Sequence, residues 1–328
     1  MSNKEDIIKQ TLEESLNKDT SDIGLYYGKT GELLLYGLCS NKKQSAIDTT
    51  LHFIMEALPS VNSFDFSEGL TGIGFGLQYL SDLNILSIKN KNIFQYLDDK
   101  IYSDIANNQS TDLSLLSNKS VLARTFYFYF RLKSSDEPNF YRNLAARECL
   151  ILLITEIKEL VSIIVSNKDV LLVKRPKFYS EIGQCFSVLY HLLLLDINKN
   201  YCQDLLIFIR DFISNCFEDK NVWNELNSPF LLRLLYFYTY VSFELKDRDM
   251  KDCAIKWVQS FGAFFQGSMK SDLDVCFFHQ LKNLIGTNNS FSYRIKNTSD
   301  IDSFVFSKYI ISFLRQKMCD KILLEITI

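Results

Sequence analysis

Helix breakers are scarce in this chain: 328 residues hold only 4 prolines and 12 glycines. So few breakers over such a length predict a helical protein. Histidine occurs 3 times and tryptophan twice, at 223 and 257. No cysteine is followed directly by histidine. There is no excess of positive charge. The net charge is −3, which excludes a partner held by nucleic-acid electrostatics. Long uncharged apolar runs are missing as well. The stretch SPFLLRLLYFYTYVSFEL contains Arg233 and reaches Glu244, and CLILLITEIKELVSIIV is broken by Glu156, Lys158 and Glu159. Both read as buried helices and not as membrane spans. The first residues, MSNKEDIIKQTLEESLNKD, are charged throughout and do not resemble a signal peptide. The eight cysteines are scattered through apolar helical stretches. That usage predicts reduced thiols in a cytoplasmic protein, each serving as a small buried hydrophobe.

What the chain does have is core material. Hydrophobic residues make up 47%, enough for one large domain or two ordinary ones. The stretch GLYYGKTGELLLYGL, residues 24 to 38, contains the letters that end a phosphate-binding loop. That loop needs a glycine five residues before Gly28, and Ile23 stands there. Gly24 is one residue too close, and no βαβ pattern surrounds it. The glycines need another explanation.

A second stretch, EGLTGIGFGLQYL, supplies it. Gly28 and Gly31 of the first correspond to Gly69 and Gly72 of the second, 41 residues on in both cases. A period near that length is the signature of a repeat. Later segments keep the apolar helix and lose most glycines: 113 to 132, 178 to 195, 225 to 243, 271 to 286 and 298 to 314. Amphipathic helices lie between them, for example 44 to 58 and 141 to 164. The chain therefore alternates an apolar helix with an amphipathic one about seven times. This predicts an all-α fold in two layers, either a closed α/α toroid or an open solenoid. Paired glycines at the start of an inner helix let backbones approach closely, and tolerate unusual φ where the chain turns into the helix.

At these residues the chain resembles the lanthionine synthetase C-like (LanC-like) family, the cyclases of lanthipeptide biosynthesis. SEGLTGIGFGLQYL is similar to the family's second glycine repeat and GLYYGKTGELLLYG to its first. FYFYFRLKSSDEPNFYRNLAARECLILLITEI resembles the third unit with its outer helix, and CDKILL the closing segment. The resemblance implies a single domain over 1–328, an α/α toroid of about seven helical hairpins. It also implies a ribosomal precursor peptide as ligand, with a dehydratase or other modification enzyme as possible partner. The family's chemistry adds a peptide thiol to a dehydroamino acid at a zinc ion held by two Cys and one His, the metal supplying a thiolate at neutral pH.

Here the sequence departs from the family. The adjacent Cys-His-Gly is absent, and the fifth unit, LNSPFLL, has no cysteine. Cys276 and His279 are three apart and share a helical face, so they are the remaining zinc candidates. Cys185 and His191 are six apart and share a face poorly. His52 lies in a predicted outer helix with no catalytic role expected. The expected function is accordingly a LanC-like protein that binds a precursor peptide or partner enzymes without the standard zinc site. The candidate contacts are polar residues at the starts of inner helices: Lys29, Thr30, Thr71, Arg124, Glu181, Arg233, His279 and Asp300, with Asp302 beside it. Helix N-termini gathered around an axis would make a polar mouth for a peptide. The alternative for the acids is N-capping and for the arginines interlayer ion pairing. Three other functions stay open. One is an active zinc cyclase with unconventional ligands. Another is a carbohydrate-active enzyme on the same fold, which would need paired carboxylates and aromatic platforms. The last is an interaction module of a multi-enzyme assembly.

Overall fold

The computed structural model describes residues 10, 12–17, 22–26, 28–37, 43–86, 91–107, 121–133, 140–219, 228–268, 278, 281, 282 and 284–286. Every regular element among them is helical. In chain order these are α1 (Lys29–Gly37), α2 (Gln44–Ala57), α3 (Leu70–Asp82), α4 (Lys91–Asn107), α5 (Val121–Lys133), α6 (Phe140–Ser166), α7 (Lys168–Lys174), α8 (Lys177–Leu194), α9 (Lys199–Glu218), α10 (Ser228–Leu245) and α11 (Arg248–Ser268). A short 3₁₀ turn, Leu58–Ser60, follows α2, and residues 12–16 are helical ahead of α1. The described residues fall into two units, one ending at Leu153 and one beginning at Ile154, within α6.

The two kinds of helix expected from the sequence are both present. All nine residues of α1 are buried, and α3, α5, α8 and α10 are buried over most of their length. Such helices are apolar on all sides because they have neighbours on all sides. The helices between them bury one stripe. On α4 it is Ile93, Leu97, Ile101 and Ile105, spaced by four; on α2 it is Ile47, Leu51 and Ile54. The segments read as the third, fourth and fifth repeats overlap α5, α8 and α10 to within two residues at one end or the other. The sixth and seventh lie outside the described residues, except for isolated positions near 281.

In the first unit, contacts between the buried helices advance in the same direction along both partners. Thr30 lies against Gly76 and Gly37 against Leu80. Phe75 packs on Phe126 and Phe130, and Gln78 reaches Arg131. So α1, α3 and α5 run parallel to one another, which requires a returning helix between each pair. In the second unit, Gly183 meets Phe237, Phe186 stacks on Tyr238 and His191 stacks on Tyr240. This sets α8 and α10 parallel, with α9 returning between them.

The turns that begin the return share one device. Asn84 after α3, Asp196 after α8 and Lys246 after α10 have φ of 56°, 57° and 57°. Behind the first two, Ile85 N–H bonds the Leu80 carbonyl at 2.9 Å and Ile197 N–H bonds the Leu192 carbonyl at 3.2 Å. This six-to-one bond over a left-handed residue closes a helix and satisfies its last carbonyls. Glycine is the usual residue there; this chain uses Asn, Asp and Lys.

Candidate functional site

The entries to α1 and α3 are built alike. Lys29 N–H bonds the Asp22 carbonyl (3.1 Å), and 41 residues later Leu70 N–H bonds the Ser63 carbonyl (2.9 Å). The Thr30 hydroxyl donates to the Ile23 carbonyl at 2.6 Å, and its counterpart Thr71 donates to the Phe64 carbonyl at 2.9 Å and the Asp65 carbonyl at 3.0 Å. Glu32 N–H bonds the Gly28 carbonyl and Ile73 N–H the Gly69 carbonyl, at 3.2 and 3.1 Å. In each turn the chain folds back onto its own helix start. A Cβ at Gly28 would strike Gly24 N and lie 2.7 Å from the Asp22 carbonyl oxygen; one at Gly69 would lie 2.6 Å from the Ser63 carbonyl oxygen. Space sets these glycines, not φ. Among the described glycines only Gly286 has a positive φ, and Gly69 is extended at φ −97°. That corrects the expectation of unusual φ at these positions. The two turns also touch, with Tyr26 N–H bonding the Ser67 carbonyl at 2.9 Å.

Asp65 holds the second turn. It accepts from the Ser63 hydroxyl, the Ser67 hydroxyl (3.0 Å), Glu68 N–H (2.7 Å) and Gly69 N–H (3.1 Å). Burial acts to raise its carboxyl, but these donors together outweigh it and hold the acid below its ordinary value.

The polar residues expected at a peptide-binding mouth have the following settings. The Lys29 amine donates to the Ser15 carbonyl (2.7 Å) and the Leu16 carbonyl (3.2 Å) and pairs with Glu32 at 3.3 Å. It thus caps the helical segment ahead of α1, whose last carbonyls have no partner within that segment. Glu32 also accepts from the Ser15 hydroxyl at 2.6 Å. Thr30 and Thr71 are spent on backbone carbonyls. Arg124 pairs with Asp104 of α4, an ion pair between a buried helix and a half-buried one. The Arg233 guanidinium lies 5.5 Å from the Phe230 ring centre. Cys276, His279, Asp300 and Asp302 lie outside the described residues.

Glu181 is different. It is 5% exposed in the first half of α8, and Oε1 faces the Lys177 amine at 3.6 Å. Its Oε2 is buried and has no hydrogen-bond partner among the described residues. Burial is the main cause that pushes this carboxyl up to about 7, against the smaller opposing pull of Lys177 and Arg175. An acid tuned to neutrality can give or take a proton at physiological pH.

It also makes stability depend on pH. The folded value lies above the unfolded one, so the folded state keeps the proton longer. The stability Glu181 contributes is full below pH about 4.5 and is lost as pH rises through about 7, a span of about 3 kcal/mol. Glu181→Gln should flatten this part of the profile. At pH 8 the variant should be more stable than the parent by about 1–2 kcal/mol, the gain reduced by the buried amide. Urea melts at pH 5, 6, 7 and 8 measure it, and parallel profiles for the two proteins would refute it.

Four buried thiols among the described residues are not poised for nucleophilic use. Cys149, Cys185, Cys202 and Cys216 are buried and free, and Cys253 is exposed and free. Burial raises Cys149 and Cys216 to about 12 and Cys202 to about 11, and Cys185 higher still. His191 is bonded to the Tyr240 hydroxyl at 3.2 Å and stacks on the Tyr240 ring. His52 is exposed beside Glu56. Among the described residues no three His, Cys, Asp or Glu converge where a metal ion could sit, and no helix is long and apolar enough to cross a membrane.

One constellation was not legible in the sequence. Asp98 of α4 accepts from the Tyr127 hydroxyl (2.6 Å), from Arg131 Nε and Nη2 (both 3.0 Å) and from Arg142 Nη1 (3.4 Å). Arg131 also bonds Gln78, which bonds Asp82 at 2.7 Å. One carboxylate thereby ties α4, α5 and α6, and through Arg131 α3. Burial, then the Asp98 charge, pushes the Tyr127 phenol well above its ordinary value, so it remains a donor.

Comparison of the chain with family models, with curated proteins and with solved structures finds no match.

Proposed function

We propose that this chain is a LanC-like protein of a ribosomal-peptide modification pathway, in which about seven helical hairpins close into an α/α toroid that binds a linear precursor peptide without the standard zinc site. A dehydratase is the natural partner, since it supplies the dehydroamino acids such pathways consume. One observation carries the reading. The turns entering α1 and α3 repeat the same three hydrogen bonds 41 residues apart, at the residues that carry the resemblance. The parallel succession of buried helices within each unit supports the hairpin repeat. The buried, protonated thiols support a role in binding over thiol activation.

The test uses the full chain and fluorescein-labelled synthetic peptides rich in Ser, Thr and Cys. The expected result is saturable anisotropy, competed by unlabelled peptide, with zinc far below one per chain. The thiol titre of a peptide containing Cys and dehydroalanine should stay constant. Disappearance of that thiol, with one zinc per chain lost on Cys276→Ala, would instead establish an active cyclase. Hydrolysis of an oligosaccharide panel without peptide binding would replace the reading altogether.

A further inference from the structure

The first half of α6 carries an apolar face that the fold leaves in solvent. Its buried side is Ala146, Cys149, Leu150 and Leu153. On the opposite side Phe140 is 70% exposed, Tyr141 80%, Leu144 45%, Ile151 42% and Leu152 41%. Arg147 and Glu148 are exposed in the middle of that side. At 100° per residue these seven positions span an arc of about 140° and, from 140 to 152, a length of about 18 Å. Isolated exposed apolar residues need no account, but five on one helix face mark an interaction surface.

We propose that this face joins two copies of the chain, α6 against α6, antiparallel about a two-fold axis beside the Arg147–Glu148 peptide bond. In a two-fold interface each residue meets the position equally far on the other side of the axis. Here Arg147 meets Glu148 of the second copy and Leu144 meets Ile151 of the second copy, each contact occurring twice. These two central pairs are self-complementary in charge and in apolar surface at once. A parallel, in-register pair would set Arg147 against Arg147 and Glu148 against Glu148, and like charges in contact disfavour it. Neither residue has an ion pair among the described residues, and the second copy supplies each with a partner of opposite sign. With roughly 200 Å² for a fully exposed aromatic side chain and somewhat less for an aliphatic one, the five apolar residues offer on the order of 500 Å² per copy. If all five are covered, two copies bury at most about 1,000 Å², the lower bound for a specific interface. The dimer is therefore weak, with a dissociation constant on the order of micromolar.

Sedimentation velocity of the full chain from about 1 to 100 μM tests this range. The expected result is a concentration-dependent shift from monomer to dimer. Leu144→Asp should abolish it, and Arg147→Glu should weaken it about tenfold or more by opposing acids across the axis. The double exchange Arg147→Glu with Glu148→Arg should restore it, because the two-fold pairs are rebuilt with their signs reversed. These side chains are exposed, and circular dichroism melts check that each variant folds. A parent monomeric at the top concentration overturns the proposal, as does a dimer indifferent to Leu144→Asp. A double exchange no better than Arg147→Glu alone overturns the antiparallel pairing.

Discussion

Gly72→Ala is expected to destabilise the protein by about 3 kcal/mol or more, because the added methyl has no room to occupy. Gly72 is the third residue of α3, under the turn that enters the helix. A Cβ there would overlap the Phe66 carbonyl oxygen, sit 2.8 Å from the Phe66 carbonyl carbon and lie 3.2 Å from Leu25 Cβ. The obstructing atoms are backbone, so no rotamer change relieves them. The turn itself would have to move, and Asp65, Thr71 and Gly69 fix it with the bonds described above. Gly76→Ala, one turn later, is the control. Its methyl would meet Thr30 Cγ2 at 2.7 Å and Leu25 Cδ1 at 3.0 Å. Both are side-chain atoms and not backbone; Leu25 can turn aside, Thr30 is held by its bond to the Ile23 carbonyl and gives less, and alanine favours a helix over glycine by about 1 kcal/mol. A clearly smaller loss is expected there. Denaturant midpoints of the two variants decide the matter, and a Gly72→Ala protein as stable as Gly76→Ala would show that the turn yields.

Asp98→Ala should cost about 3 kcal/mol. Removing one partner of a largely buried ion pair leaves the other charge uncompensated, at about 3–5 kcal/mol for full burial. The Asp98 and Arg131 side chains are 16% and 18% exposed, which places the effect at the low end. Tyr127 adds to the loss, since its buried hydroxyl is left without its acceptor. Asp98→Asn keeps one acceptor oxygen and should fall between the parent and alanine. Arg248→Ala is the comparison, because its pair with Asp252 spans 4.0 Å in solvent and should leave the melt unchanged. Equal midpoints for Asp98→Ala and Arg248→Ala would show that the cluster contributes nothing to stability.

The alternation of fully buried and half-buried helices could be read before any coordinates, because burial on all sides and burial on one side leave different periodicities. SPFLLRLLYFYTYVSF has no polar face, and α10 is buried over most of its length. KNIFQYLDDKIYSDIAN has one apolar stripe, and α4 buries that stripe alone. The 41-residue offset was equally legible, since a repeated turn needs its small residues at repeated places.

What individual polar groups do was not legible, and Lys29 shows why. Its sequence neighbours suggest a phosphate loop or a ligand contact. The amine instead reaches back 13 and 14 residues to the Leu16 and Ser15 carbonyls, a direction set by where the preceding helical segment packs. The Asp98 cluster gathers positions 78, 98, 127, 131 and 142, which no local spacing connects. Glu181 reads as an ordinary helix-start acid until α8 carries it inside.

The sequence by itself determined that this chain is helical, which helices are wrapped by others and where the glycine turns recur, because each of these is set by residues within a turn or two of one another. Only the tertiary structure decided which charges are paired, which acid titrates near neutrality and which helix face stays in water. Those depend on the distance and burial of groups far apart in the chain, and packing alone brings them together.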